Sequence, residues 1–485
     1  MLTFIMVYLR NILSALVILS LAQVSTGSAQ HPPSLRELSI AGLEQRIGQI
    51  DEQLTQLSHF TLRGGVGSIG YRTKYFRTAE ETQTISVTWD KPESLDEIIL
   101  VPVIRREQVN HYEADGFPIE FSVYCGTSDP GNEKLLAAFS ETSALLPRIA
   151  PVVIPCNGIE ASWVRIETVM LSKGAFDHRH IFQLAEIMAF KGGRNVALHG
   201  NVVADESRPG GGAWKLQNLV DGFVPYLMDS AFGETSPAVI SKPNEGDPAT
   251  LIIDLGAPFS IDRIQLHSAQ VGDTLPYMFD SRFAIPEALR IEGAMQPDFK
   301  DRVILLDFKH TSVFDTAPII TRNVESTTCR YVRLVARKPY SARQQKYQTR
   351  FGFAEVELFS GDRNIALNKP SAANFEMGYY AENTTPLTDG HNLYGKILPV
   401  RDWLNELALR HELEKERPIV AAELNRRYAR QKMQLTWLVR LAIFLGIGIV
   451  FGIIIEAMVR QRAVYRTRER IAADIHDELG ANLHA

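Results

Sequence analysis

Near the C-terminal end, Glu469-Arg-Ile-Ala-Ala-Asp-Ile-His-Asp-Glu-Leu-Gly-Ala-Asn-Leu483 sets a histidine beside an aspartate on a segment with helical apolar spacing. Ile471, Ala472, Ile475, Leu479 and Leu483 form one stripe. His476 lies about 100° round the helix from Ile475, at the edge of that stripe, where solvent can reach it. A neutral imidazole nitrogen is a competent nucleophile for a γ-phosphate near pH 7. An acid beside the ring can hold the proton on the other nitrogen, fix the tautomer and stabilise the cation that forms. An isolated His-Asp pair on a helix is ordinarily a surface dipeptide. Here the surrounding string, and its place after an apolar run and five arginines, favour the chemistry.

Other candidates lie upstream. Trp214 and Tyr226 flank an Asp-Gly turn at Asp221-Gly222, where aromatic rings could stack on a sugar or belong to a core. Asp-Gly is itself a common turn, with Asp supporting the backbone and Gly supplying positive φ. Cys125 and Cys156 are either a disulfide closing a loop of about 30 residues or two buried thiols. No paired carboxylates, nucleophile triad or His-rich metal spacing stand out before the apolar run.

Membrane elements position these residues. Arg10, the apolar stretch Ile12–Ala22 and the small residues Gly27-Ser28-Ala29 read as an export signal over 1–29, or an uncleaved anchor. Trp437–Val459 is 23 residues, roughly 35 Å as a helix, enough to cross a bilayer. Arg460, Arg462, Arg466, Arg468 and Arg470 follow it as a cytoplasmic flank. Gly448 and Gly452 would let two spans approach. The net charge of −5 over 485 residues gives no reason to expect nucleic-acid binding.

Between these ends the chain repeats itself. Trp163-Val-Arg-Ile returns as Tyr331-Val-Arg-Leu, Phe182-Gln-Leu-Ala-Glu-Ile as Phe351-Gly-Phe-Ala-Glu-Val, and Arg194-Asn-Val-Ala-Leu as Arg363-Asn-Ile-Ala-Leu. Leu219-Val-Asp-Gly222 returns as Leu387-Thr-Asp-Gly390, all at an offset of about 168 residues. Strand-like runs at 84–89, 97–101, 119–124 and 163–167, separated by turn residues, predict β-sandwiches. The expected order is a helix or short coiled coil at 34–58, a divergent sandwich at 60–194, a second at 195–363 and a partial third repeat at 364–399. A helical stalk interrupted at Pro418 follows at 400–436, then the span at 437–459 and a cytoplasmic segment at 460–485.

Asn195-Val-Ala-Leu, Asn218-Leu-Val-Asp-Gly222, Leu251-Ile-Ile-Asp-Leu-Gly256, Ile261-Asp-Arg-Ile-Gln-Leu266, Tyr331-Val-Arg-Leu334 and Phe353-Ala-Glu-Val356 stand in the order of a known family. The set resembles the discoidin family, the factor V/VIII C-type domain with a galactose-binding-like jelly roll. The match is good over 195–363 and poor over 60–194. The resemblance implies loop-end binding of carbohydrate, lipid or protein. It also implies a structural calcium, for which Asp221 and Glu355 are the matching positions; hard oxygen ligands suit that ion. The segment around His476 resembles the first helix of a histidine-kinase dimerisation and phosphoacceptor domain, in the subclass whose histidine is followed by aspartate. That resemblance implies His476 as phosphoacceptor, Asp477 as its base and orienter, a dimeric four-helix bundle, and a response-regulator aspartate as acceptor. The subclass glutamine five residues after the histidine is Ala481 here, so the likeness does not extend to glutamine-assisted dephosphorylation.

The expectation is therefore a mainly β chain: tandem discoidin-like jelly-roll sandwiches, a helical stalk, one late transmembrane helix and the start of a four-helix bundle. It reads as the input and phosphoacceptor portion of a sensor histidine kinase in a bacterial cytoplasmic membrane. Such a kinase would be a homodimer sensing an extracytoplasmic ligand such as a glycan. No Gly-rich phosphate loop accompanies His476, so ATP with magnesium is expected from a catalytic domain outside these residues. The chain would then be the first part of a longer kinase or one half of a split one. The alternative is a non-enzymatic, membrane-anchored carbohydrate-binding or adhesion protein.

Overall fold

The structure, a computed structural model, describes residues 37–59, 61, 69–108, 111–129, 131–143, 145–174, 179–210, 213–230, 232–242, 248–269, 284–309, 318–338, 350–378 and 381–482. The expected export signal lies outside them. One compact unit spans Glu52–Glu414; the described parts of 1–51 and 415–485 form another.

Most of the first unit is two copies of one β-fold. Strands β1 (Thr84–Val101), β2 (Glu120–Gly126), β3 (Lys134–Phe139), β4 (Val152–Met170), β5 (Glu186–Lys191) and β6 (Asn201–Ala204) build the first. Strands β7 (Thr250–Ser268), β8 (Ala288–Ala294), β9 (Val303–Lys309), β10 (Ile319–Lys338), β11 (Gly352–Ser360) and β12 (Ser371–Ala373) build the second. The hydrogen-bonded order is β5-β1-β4-β2-β3 with β6 on β1, and then β11-β7-β10-β8-β9 with β12 on β7. The topology is therefore duplicated strand for strand.

The two longest strands of each copy run through both layers of its sandwich. In β1, Thr84–Thr88 pair with Trp163–Glu167, whereas Glu97–Leu100 pair with Val152–Pro155, with register shifts between. Asp90, Lys91 and Pro92 are exposed at the bend. Ile85 and Val87 from one half meet Ile98 and Leu100 from the other in a single core, with Val123, Ile154, Val164 and Ile187. That core forms because alternate side chains of each strand share one face. The second copy closes an equivalent core around Leu251, Ile253, Ile264, Leu266, Val332 and Val356.

Strand pairing divides the copies elsewhere than the repeat reading placed them. Asn201–Ala204 pair with Ile85–Thr88, and Val196, Ala197, Val202, Leu219 and Val220 fill the first core. Ser371–Ala373 likewise pair with Leu251–Ile253, and Leu387 fills the second core. Residues 195–223 close the first sandwich, and the expected partial third repeat closes the second. The Asn of Arg-Asn-x-Ala-Leu holds this closing turn: Asn195 Oδ1 accepts from the N–H groups of Ala189 and Ala197, both at 3.1 Å, and Asn364 Oδ1 from Ala366 N–H at 3.0 Å.

Helix α1 (Ile40–Thr55) and helix α2 (Val400–Asn482) complete the chain. Over 400–414, α2 lies on the outer face of the first sandwich's smaller layer. Trp403, Leu404 and Leu407 are fully buried against a cluster that includes Ile99, Val101, Met188, Phe190 and Tyr226. Arg401 Nε donates to Glu97 at 2.8 Å and Asn405 donates to the same carboxylate at 2.8 Å. Arg410 donates to the carbonyls of Leu54, Leu57 and Ser58, satisfying the free carbonyls at the end of α1.

In the other unit α1 runs antiparallel to α2. Arg46 forks onto Glu416 at 2.7 and 2.5 Å, Arg417 onto Asp51 at 2.6 and 3.1 Å, and Tyr428 donates to Glu44. Leu43 and Ile50, one heptad apart in the expected seam, are buried within this single chain. Pro418 does not interrupt α2, contrary to the sequence expectation. A proline inside a helix costs about 3 kcal/mol; here the two residues before it are clamped by bidentate pairs to α1, which hold the turn.

Candidate functional site

Each sandwich carries one glutamate on the strand that follows its Phe-x-x-Ala or Phe-Ala motif, and one Asp-Gly loop folded back onto it. Gly222 N–H donates to Glu186 Oε1 at 2.9 Å, and Gly390 N–H to Glu355 Oε1 at 3.0 Å. Asp221 Oδ1 accepts from Phe223 N–H at 2.8 Å, and Asp389 Oδ1 from His391 N–H at 2.9 Å. Gly222 and Gly390 have φ of 83° and 77°, the left-handed conformation such a loop requires. Asp221 and Glu355, expected as one calcium pair, belong to different sandwiches; their partners are Glu186 and Asp389. A loop closes onto its own copy, and the sequence motif order conceals this.

Glu186 and Glu355 are fully buried, and Oε2 of each lacks a hydrogen-bond partner. Burial, then the charge of Asp221, pushes the Glu186 carboxyl far up. Burial, then Glu357 and Asp389, pushes Glu355 up to about 10. A calcium ion would face Glu186 with Asp221, and Glu355 with Asp389, supplying the counter-charge that keeps the carboxylates ionised. Among the described residues no group of three or more His, Cys, Asp or Glu that could hold a metal ion converges.

The aromatic candidates separate. Tyr226 is fully buried, donates to Ile149 O at 2.9 Å and meets Trp403 edge-on at 6.3 Å; it is a core residue under α2 and offers no face to a ligand. Trp214 is 8% exposed and covered by the Arg72 guanidinium 4.5 Å from its ring. Sequence reasoning missed what stands around it. Arg179 and Arg208 lie over the Tyr75 ring at 4.0 and 5.3 Å, in three loops that converge at one end of the first sandwich. Arg72 and Arg208 are 136 positions apart and match no motif, so only the fold brings them together.

Cys125 and Cys156 are free buried thiols in this structure. Both face the first core. Burial pushes Cys156 up to about 12 and also raises Cys125, so neither is a ready thiolate. His476 and Asp477 are exposed on α2, as are Ile471 and Ile475 of the stripe. Leu483 lies outside the described residues. The span is also exposed in the chain, and α2 is long and apolar enough to cross a membrane.

No family model and no curated protein sequence matches the chain. Among solved structures it is similar to a protein fragment from Bacteroides thetaiotaomicron (20% identity, 24% of this chain and 62% of that one, TM-score 0.19). It thus spans less than two thirds of that fragment's length. It is also similar to the CBM32-1 and CBM32-2 domains of Clostridium perfringens ZmpB in complex with GalNAc (11% identity, 58% and 81% covered, TM-score 0.17). A third likeness is the serum fucolectin of striped bass, Morone saxatilis (9% identity, 58% and 83% covered, TM-score 0.17).

Proposed function

We propose that this chain is a membrane-anchored binding protein whose tandem sandwiches take a saccharide outside the cytoplasmic membrane. The observation that carries the reading is the duplication of the six strands β1–β6 in β7–β12, with the Asp-Gly loop and its glutamate in matching geometry in both copies. Those are the motifs on which the discoidin resemblance rests, and that resemblance implies binding through loops at one end. The apolar run within α2, preceded by a segment docked on the first sandwich, supports anchorage. The test is retention of the full chain, in detergent or nanodiscs, on a panel of immobilised neutral and acidic polysaccharides. Saturable retention competed by free saccharide is expected; failure to bind any of them would remove the reading.

A second reading has its own support: α2 continues without a break from the buried Trp403 to the exposed His476 and Asp477. In it, the chain is the input half of a sensor histidine kinase. A parallel homodimer would bring two His476 helices together, a catalytic domain would load His476 from ATP and magnesium, and a response regulator would receive the phosphate. Calcium in the two cradles belongs to either reading.

A further inference from the structure

We infer that the loop end of the first sandwich receives an acidic saccharide, its carboxylate or sulfate group held between Arg72 and Arg208; this deepens, and rests on, the saccharide-binding reading. Three segments make the site. Arg208 N–H donates to Arg72 O at 2.9 Å, Phe76 N–H to His180 O at 2.8 Å and Gly70 N–H to Ala213 O at 3.0 Å, which ties 70–76 to 179–181, to 205–210 and to 213–214. The Arg72 guanidinium is half-buried over Trp214 in space that Gly210 leaves open: a Cβ at 210 would sit 2.8 Å from Arg72 Nη2.

Among the described residues Lys74 pairs with Glu206, whereas neither Arg72 nor Arg208 forms an ion pair. Asp205, whose carboxylate accepts from Thr84 N–H at 2.9 Å, and Asp115, which acts on Arg72, are the other acids nearby. Burial pulls the Arg72 guanidinium below its ordinary value, and the neighbouring Arg208 adds to that, against Tyr75 and Asp115. The Arg208 guanidinium also lies 5.3 Å from the centre of the Tyr75 ring, which places an aromatic surface beside the pair.

The second copy is an internal control. There Gly378 N–H donates to Ile240 O at 2.6 Å, the counterpart of Arg208 to Arg72, and Lys242 pairs with Glu376, the counterpart of Lys74 with Glu206. The lysine–glutamate pair is present in both sandwiches, whereas Arg72 and Arg208 are replaced by Ile240 and Gly378. The exposed ion pair is thus common to both copies, and the two arginines are particular to the first. Guanidinium forks match carboxylate and sulfate oxygens in a plane, which a neutral hydroxyl does not reward equally.

The test uses the full chain in nanodiscs with three soluble probes at low ionic strength: polygalacturonate, a sulfated galactan and a neutral galactan. The expected result is binding of one or both acidic probes about tenfold or more tighter than the neutral one, weakening with salt. Arg72→Gln with Arg208→Gln should remove that preference, while Lys242→Gln in the second sandwich should not. Polygalacturonate alone would identify a uronate carboxylate, the sulfated galactan alone a sulfate ester. Arg208 is exposed, so Arg208→Gln alone keeps the test open if the double variant loses its melting transition. Neutral galactan bound as tightly as the acidic probes, with no effect of Arg208→Gln, overturns the charge assignment and leaves saccharide binding standing. Absence of binding to all three by the unsubstituted chain overturns both.

Discussion

Glu355 shows what a single buried carboxyl does to this protein's stability. One oxygen is bonded by Gly390 N–H, the other has no partner, and the group is held up to about 10 by burial first and by Glu357 and Asp389 next. An unfolded glutamate titrates near 4.3. The folded state keeps a proton that the unfolded state has released. The raised group's stability is thus complete below about pH 4 and is lost progressively as pH rises towards 10. Glu355→Gln preserves shape and removes the titration. With a chelator at pH 8 the variant should unfold at a higher temperature than the unsubstituted chain, and near pH 4 the two should coincide. Millimolar calcium should raise the unsubstituted chain more than the variant, which keeps the Glu186 cradle. A variant that melts lower at pH 8 in chelator would show a carboxylate already ionised and paired.

At the scale of elements, the join between β-sandwich and helix rests on Trp403. Its indole is fully buried, yet Nε1 has no hydrogen-bond partner, so the contribution is area and shape rather than a polar contact. Trp403→Ala should cost about 3–5 kcal/mol and open the 400–414 segment to protease, whereas Trp403→Phe should cost far less. Equal cleavage rates in all three chains would mean the helix is held by Arg401 and Asn405 on Glu97 instead. Elements of this kind were unevenly legible in the sequence. The offset of about 168 residues announced the duplication, and the strand order repeats accordingly. The polar stretch Asp90–Pro92 hid the continuity of β1, since an exposed bend between two buried halves reads locally as a turn. Pro418 read as a helix end because the bidentate pairs that brace it come from α1, more than 360 positions away. The Asp221 and Glu186 cradle and the Arg72 and Arg208 site are long-range for the same reason: each motif or side chain is visible alone, and its partner is chosen by the fold.

At the scale of the whole molecule, α2 decides between the two readings. It is 83 residues, about 125 Å at 1.5 Å per residue, and holds the docked segment, the pairs to α1, the apolar run and His476 on one element. Ile471 and Ile475, two residues of the stripe beside His476, are 52% and 51% exposed. On the kinase reading a second helix lying along that face, as in a dimeric bundle, would cover them. On the kinase reading, the full chain joined to an ATP-binding histidine-kinase domain, in membranes with magnesium and γ-labelled ATP, should incorporate label. His476→Gln should abolish the labelling, and Asp477→Asn should slow it at least tenfold, because the ring would lose the acid that orients it. Labelling that survives His476→Gln assigns the phosphate elsewhere. An unlabelled chain that still binds its saccharide would leave the anchored binding protein as the description of the molecule.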